Sequence, residues 1–180
     1  MNRVILTPPV LPGTALAELK QWLGITTTAD DAPLLSLLAA TLDVCEGFTG
    51  QMPLEAECEE VLPATAGWHT LGTRPVQAIS TAETIAPDGT RTALDAVAYA
   101  IDLQADGTGR IRLPGGNARV AVRFTAGLAA NWDALPQALR HGLIRLAAHQ
   151  HRERESAGAA PLPPASVAAL WRPWRRVHLT

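Results

Sequence analysis

Six residues near the C-terminus, Trp171-Arg172-Pro173-Trp174-Arg175-Arg176, alternate flat indole rings with guanidinium groups. These side chains do recognition chemistry, not bond-making. An indole fills an apolar pocket, a guanidinium grips carboxylates through paired N–H donors, and both types dominate binding hot spots. A domain that buries its own tryptophans rarely sets two of them at a frayed terminus, so this segment is expected to dock on a partner surface. Trp171 and Trp174 stand three residues apart and could enter adjacent pockets. Arg172, Arg175 and Arg176 are then left for carboxylates at the rim, and Pro173 lowers the backbone entropy lost on docking.

A second constellation is His141, Arg145, His149 and Arg152, whose spacing of four, four and three puts them on one face of a helix and makes that face cationic. His149 and Glu153 have the i, i+4 spacing of a shared metal ion, but two ligands are too few and no His-Glu-x-x-His is present. Gly107-x-Gly109 and Gly115-Gly116 lack a following helix and a Gly-Lys-Ser/Thr ending, so they read as hairpin turns and not as phosphate cradles. No serine sits in a Gly-x-Ser-x-Gly elbow. Cys45 and Cys58 form no Cys-x-x-Cys pair and read as two buried thiols, with no disulfide and no zinc site. The expectation is a protein without catalytic residues, metal or cofactor. Nucleic acid remains a secondary partner: arginines contact phosphates and tryptophan stacks on bases, while a pI near 6.2 weighs against binding free DNA. A basic patch could still line a channel through which DNA passes unread.

The elements that must carry these residues follow from periodicity. Thr14 suits the cap of a first helix with Leu16, Leu19, Trp22 and Leu23 at helical spacing, ended by Gly24. Thr28 and Asp31 resemble a capping box for a second, in which Leu35, Leu38, Leu42, Cys45 and Phe48 form the apolar stripe up to Gly50. From 56 to 125 the pattern turns to short extended runs near Cys58–Leu62, Trp68–Leu71, Val76–Ala86, Leu94–Ile101, Arg110–Leu113 and Arg119–Phe124. Pro87-Asp88-Gly89, Asp106-Gly107 and Gly115-Gly116-Asn117 mark turns between them. These strands are read as an antiparallel meander. The acidic cluster Glu55, Glu57, Glu59, Glu60 is read as alternate carboxylates pointing to water. Pro136 opens a third helix over 136–156, with Leu139, Leu143, Leu146 and Ala147 as its buried stripe. Ser156 to Pro164 reads as a linker, and Pro164 starts a short helix leading into the tail. The fold class is therefore α+β: two N-terminal helices (14–50) and one long C-terminal helix, an inserted antiparallel β portion (56–125), and a short C-terminal helix and docking tail (162–180). Without strand–helix–strand alternation a doubly wound sheet is excluded.

At 180 residues the chain (1–180) fits a single domain that buries roughly two thirds of its unfolded surface. No run reaches the roughly 18 to 20 apolar residues of a membrane span, and Pro8, Pro9 and Pro12 interrupt any signal-peptide core, so a cytosolic protein is expected. The net charge of −2 hides an asymmetry: residues 1–136 hold 8 Lys/Arg against 15 Asp/Glu, a balance of −7, and residues 137–180 hold 7 Arg against 2 Glu, a balance of +5. An acidic front and a basic back suit docking between unlike surfaces.

Taken in order, the pieces resemble the head–tail connector (adaptor) proteins of long-tailed bacteriophages and of gene transfer agents. The resemblance runs from Leu19-Lys20-Gln21-Trp22-Leu23 and Asp30-Asp31 through Cys45-Glu46-Gly47-Phe48-Thr49-Gly50. It continues in Arg74-Pro75-Val76-Gln77-Ala78-Ile79, Tyr99-Ala100-Ile101-Asp102 and Val122-Arg123-Phe124-Thr125-Ala126-Gly127. It ends with Leu135-Pro136, Arg152-Glu153, Leu162-Pro163 and Trp171-Arg172-Pro173-Trp174-Arg175. Tryptophan at 171 and 174 departs from the family pattern, in which an aromatic followed by arginine is more typical. The resemblance implies a non-enzymatic virion subunit, assembled in the host bacterial cytoplasm. It implies a ring beneath the dodecameric portal protein, around the DNA channel, with neighbouring copies beside it and a stopper or tail protein below. Residues 171–176 are then the portal-binding segment. The His141, Arg145, His149, Arg152 face meets DNA or a neighbour's Asp43 or Glu46. Two other readings stay open. One is a tail terminator or stopper, which would be largely β. The other is a small enzyme with a site around His69, Asp88 and Asp102, which nothing in the sequence brings together.

Overall fold

The computed structural model describes residues 3–116, 119–153 and 163–175. The fold is mixed α+β. Where the sequence reading has one domain, the chain forms two compact units: Met1–Pro9 with Glu55–Gly127, and Val10–Leu54 with Leu128–Thr180.

The first unit is built on strands β1 (Arg3–Thr7), β2 (Ala56–Pro63), β3 (Gly67–Thr70), β4 (Val76–Ile85), β5 (Arg91–Ala93), β6 (Ala100–Leu103), β7 (Gly109–Leu113) and β8 (Arg119–Ala126). They make a five-stranded sheet of order β1-β2-β8-β4-β5 and a three-stranded sheet of order β3-β7-β6, with antiparallel pairing throughout. This corrects the meander. β8 carries Val120, Ala121 and Val122 in succession, all buried, and a strand apolar on both faces belongs in the middle of a sheet. It therefore recruits β2 on one side and β4 on the other, leaving β3 to pair elsewhere. The expected strand over Leu94–Ile101 is also broken. Asp95 accepts a hydrogen bond from the Val97 N–H (3.2 Å) and turns Ala96–Ala98 into one turn of 3-10 helix between β5 and β6. The N-terminal strand β1 is not among the strands expected from sequence. Val4-Ile5-Leu6 nevertheless pairs with β2 in the register Val4↔Glu59 and Ile5↔Cys58.

The second unit holds helices α1 (Gly13–Leu23), α2 (Asp31–Thr49), α3 (Gln137–Glu153) and α4 (Ala165–Trp171), plus 3-10 turns at Trp132–Ala134 and Arg172–Trp174. α1 and α2 stop at Gly24 (φ 72°) and Gly50 (φ 71°), left-handed positions where any other residue would be strained. Neither expected side-chain cap forms. Pro12 stands at the start of α1 and Asp30 at that of α2, and Asp31 instead pairs with Lys20 Nζ at 2.6 Å. The α2 stripe is turned toward Leu34, Leu38, Thr41, Leu42, Cys45 and Thr49. By length and mean hydropathy (1.3) α2 resembles a membrane-spanning helix, although Asp31, Asp43 and Glu46 interrupt its apolar run. That apolarity is used in the core of the helical unit, where Leu34, Leu38 and Cys45 are fully covered together with Leu19, Trp132, Leu139, Leu143 and Leu146. The end of the third helix and most of the Ser156–Pro164 linker lie outside the described residues.

Candidate docking tail and cationic helix face

The tail residues separate into two groups. Pro164 leads into α4, whose Val167 and Trp171 face inward. Trp171 has no exposed surface, its ring lies 6.1 Å from that of Phe48, and its Nε1 donates to the Leu139 carbonyl at 3.3 Å. It fills the space left by the missing side chain of Gly142, where an added Cβ would collide with the indole. Trp171 is thus a core residue of its own subunit, which corrects the expectation of a free anchor. The signal lay in the sequence: a glycine inside a helix weakens it by roughly 1 kcal/mol relative to alanine, which marks a close approach. Trp174 is half-buried against the same core, and its carbonyl accepts from Gln51 Nε2 at 2.6 Å. Arg172, Pro173 and Arg175 are exposed. The Arg175 guanidinium lies 5.2 Å from the Phe48 ring centroid. Arg176 lies outside the described residues. The short helix is therefore fixed by the core and presents its cationic side chains outward at the point where the chain leaves it.

α3 buries Leu139, Gly142, Leu143, Ile144, Leu146, Ala147 and Ala148, which leaves His141, Arg145, His149 and Arg152 on the opposite side. His141 is exposed and meets the edge of Trp22 with ring centroids 5.3 Å apart. Arg145, His149 and Arg152 line a small recess of about 190 Å3 with Trp22, Pro164 and Ser166. His149 Nε2 stands 2.9 Å from Glu153 Oε2, which occupies the pair that spacing alone would offer to a metal. Arg145 and Arg152 have no carboxylate within ion-pair distance among the described residues. The four predicted residues do share one face.

The β unit holds a clamp that sequence reasoning missed. Glu59 is buried, not solvated. Its carboxylate accepts from both Arg91 Nη atoms at 2.8 Å and from Arg123 Nε at 3.1 Å. The Arg91 hydrogen bonds, helped by Arg123 and opposed by burial, hold the carboxyl below the usual carboxylate range. Glu60 is buried as well and accepts from the Gly72 and Thr73 N–H groups and the Thr73 hydroxyl. The reason is the central β8, whose Arg123 faces Glu59 across the ladder. The residues of the enzyme reading are kept apart. His69 on β3 bonds to the Thr65 carbonyl at 2.8 Å. Asp88 closes the β4–β5 turn through the Thr90 N–H. Asp102 on β6 pairs with Arg110 at 3.5 Å. His69 is registered with Ile111 and Asp102 with Arg110, successive residues of β7, so the two side chains leave opposite faces of the sheet.

No protein-family model matches the chain, and no curated protein matches it in sequence. Solved structures do. A chain from the neck of an empty gene transfer agent particle, reconstructed with six-fold symmetry, is 31% identical with a TM-score of 0.81 over 100% of this chain and 98% of that one. A chain of the native gene transfer agent virion is 30% identical with a TM-score of 0.76, covering 100% and 98%. A chain from the neck of the native particle, reconstructed with twelve-fold symmetry, is 30% identical with a TM-score of 0.75 over 98% and 97%. With fold and sequence alike from end to end, the chain belongs to the head–tail connector proteins of phage and gene transfer agent necks, structural components of the virion and not enzymes.

Proposed function

We propose that this protein is the adaptor of the neck, the subunit of a ring that sits beneath the portal, joins capsid to tail and surrounds the path of the DNA. The observation that carries this reading is the end-to-end likeness to neck chains of particles with six-fold and twelve-fold symmetry, which supports a ring of copies following a dodecameric portal. The four helices among the described residues favour an adaptor over a stopper or terminator, for which a largely β chain is expected. The portal-binding element is the segment that leaves the core at Trp171: Trp174 and Arg172, Pro173, Arg175 and Arg176 meet the portal, and Trp171 anchors them to the subunit. The α3 face of His141, Arg145, His149 and Arg152 meets passing DNA through phosphates, without reading sequence, or the acidic residues Asp43 and Glu46 of a neighbour. A stopper or tail protein binds below.

Removing the gene from a producing cell tests this reading. DNA-filled heads and separate tails, rejoined when the protein is added back to a lysate, are the expected result. Tailed particles formed without the protein contradict it.

A further inference from the structure

Among the described residues, the side chains of the helical unit leave a groove unfilled. α1 and the first half of α3 flank a cleft of about 630 Å3, with Trp22, Ile144 and Leu170 as its apolar lining and Arg140 and His141 along its edge. Trp22 is 47% exposed there, although burying an indole is among the larger gains available to a folded chain. Glu18, on the same wall, is already engaged by Arg140 and by the Trp132 N–H.

The β unit carries the opposite shape. The 3-10 turn Ala96–Ala98 presents Val97, which is 91% exposed, between two exposed alanines. Asp95 precedes it, exposed, and its carboxylate caps the turn through the Val97 N–H. An aliphatic side chain almost wholly in water, on a turn already shaped by its cap, loses little entropy on being received by a pocket.

We propose that the Ala96–Ala98 turn of one copy seats in the Trp22 groove of the next, Val97 against Trp22 and Leu170, and the Asp95 carboxylate toward His141. This rests on the ring reading and names the contact that builds the ring. Charge supports a second copy as the occupant: the turn brings the exposed carboxylate of Asp95, and the α3 wall of the groove carries His141 and belongs to the stretch with a balance of +5. Knob and groove are different patches of one chain, so each copy gives one and receives one. Such a heterologous contact propagates from copy to copy and builds a ring when its rotation closes, as on a symmetric portal, and a two-fold dimer does not use it.

The test is a disulfide trap in assembled particles. Val97→Cys combined with Gln137→Cys, on the exposed rim of the groove, is oxidised mildly and run without reductant, and the copy number per neck is counted by cryo-electron microscopy of the same particles. The expected result is a ladder of covalent oligomers of this chain, absent from either single variant. Particles of Val97→Leu should form normally, while Val97→Asp and Trp22→Ala proteins, shown folded by circular dichroism, should fail to enter necks. A complete ring without the ladder, or Val97→Cys trapped on a different protein, overturns the contact and leaves the ring reading standing. Necks holding no ring of this chain overturn both.

Discussion

Trp171 occupies the place of the side chain that Gly142 lacks, and its indole N–H closes the arrangement on the Leu139 carbonyl one turn away. Helix α3 and the C-terminal helix are thereby locked through a single glycine.

Gly142→Ala should consequently destabilise the helical unit by about 1–3 kcal/mol, the usual cost of overpacking a filled core, although alanine is the better helix former. Trp171→Ala should cost more, about 3–5 kcal/mol. Urea unfolding of the two variants beside the parent protein checks the order, and an unchanged midpoint for Gly142→Ala contradicts the packing described.

The truncation point follows from the same contact. Deleting residues 175–180 leaves the Trp171 and Trp174 contacts in place and should give a folded protein that no longer joins heads to tails. Deleting 171–180 should expose the core around Phe48 and Leu139 and give an unfolded or aggregated chain. Circular dichroism with an in vitro head–tail joining assay separates the two. A 175–180 deletion that still joins heads to tails would remove Arg175 and Arg176 from the portal contact.

In the β unit the Glu59 clamp sets an acid limit. Its carboxyl is held below the usual range chiefly by the Arg91 hydrogen bonds, so the folded form favours the carboxylate. That contribution is complete above the unfolded value, roughly pH 4.3, and is lost as pH falls through the lower folded value. Glu59→Gln should lower stability by about 1–2 kcal/mol at pH 7, a modest figure because Arg91 and Arg123 remain partly in water. The difference from the parent protein should shrink as pH falls below the unfolded value and Glu59 takes up its proton. Chemical unfolding at pH 7, 5 and 3 measures it, and a difference independent of pH would contradict the clamp.

Cys45 and Cys58 are both buried, and burial pushes the Cys45 thiol up to about 12. Neither should react with a thiol reagent at pH 8 in the folded protein, since only the thiolate attacks, and both should react in urea. Rapid titration of one thiol without denaturant would show that its surroundings open.

How much of this was legible in sequence depends on whether the deciding contact is local. The α3 face of His141, Arg145, His149 and Arg152 follows from helical spacing alone, as do the stops at Gly24 and Gly50. The meander failed because sheet order is decided by which strand is apolar on both faces, and Val120-Ala121-Val122 competes for two neighbours distant in sequence. Glu59 looked like one solvated carboxylate among four because its partners, Arg91 and Arg123, are 32 and 64 residues away. Trp171 looked free because residue type and a terminal position suggest docking, whereas its burial depends on one glycine 29 positions earlier.

The central claim, an adaptor ring between portal and tail, is tested most directly by cryo-electron microscopy of the neck of particles carrying this protein. The account predicts a closed ring of copies around the DNA channel directly below the portal, with the chain beyond Trp174 in contact with portal subunits and the helical unit otherwise unchanged. Density for this chain at the tail end of the neck, with another protein against the portal, would contradict it.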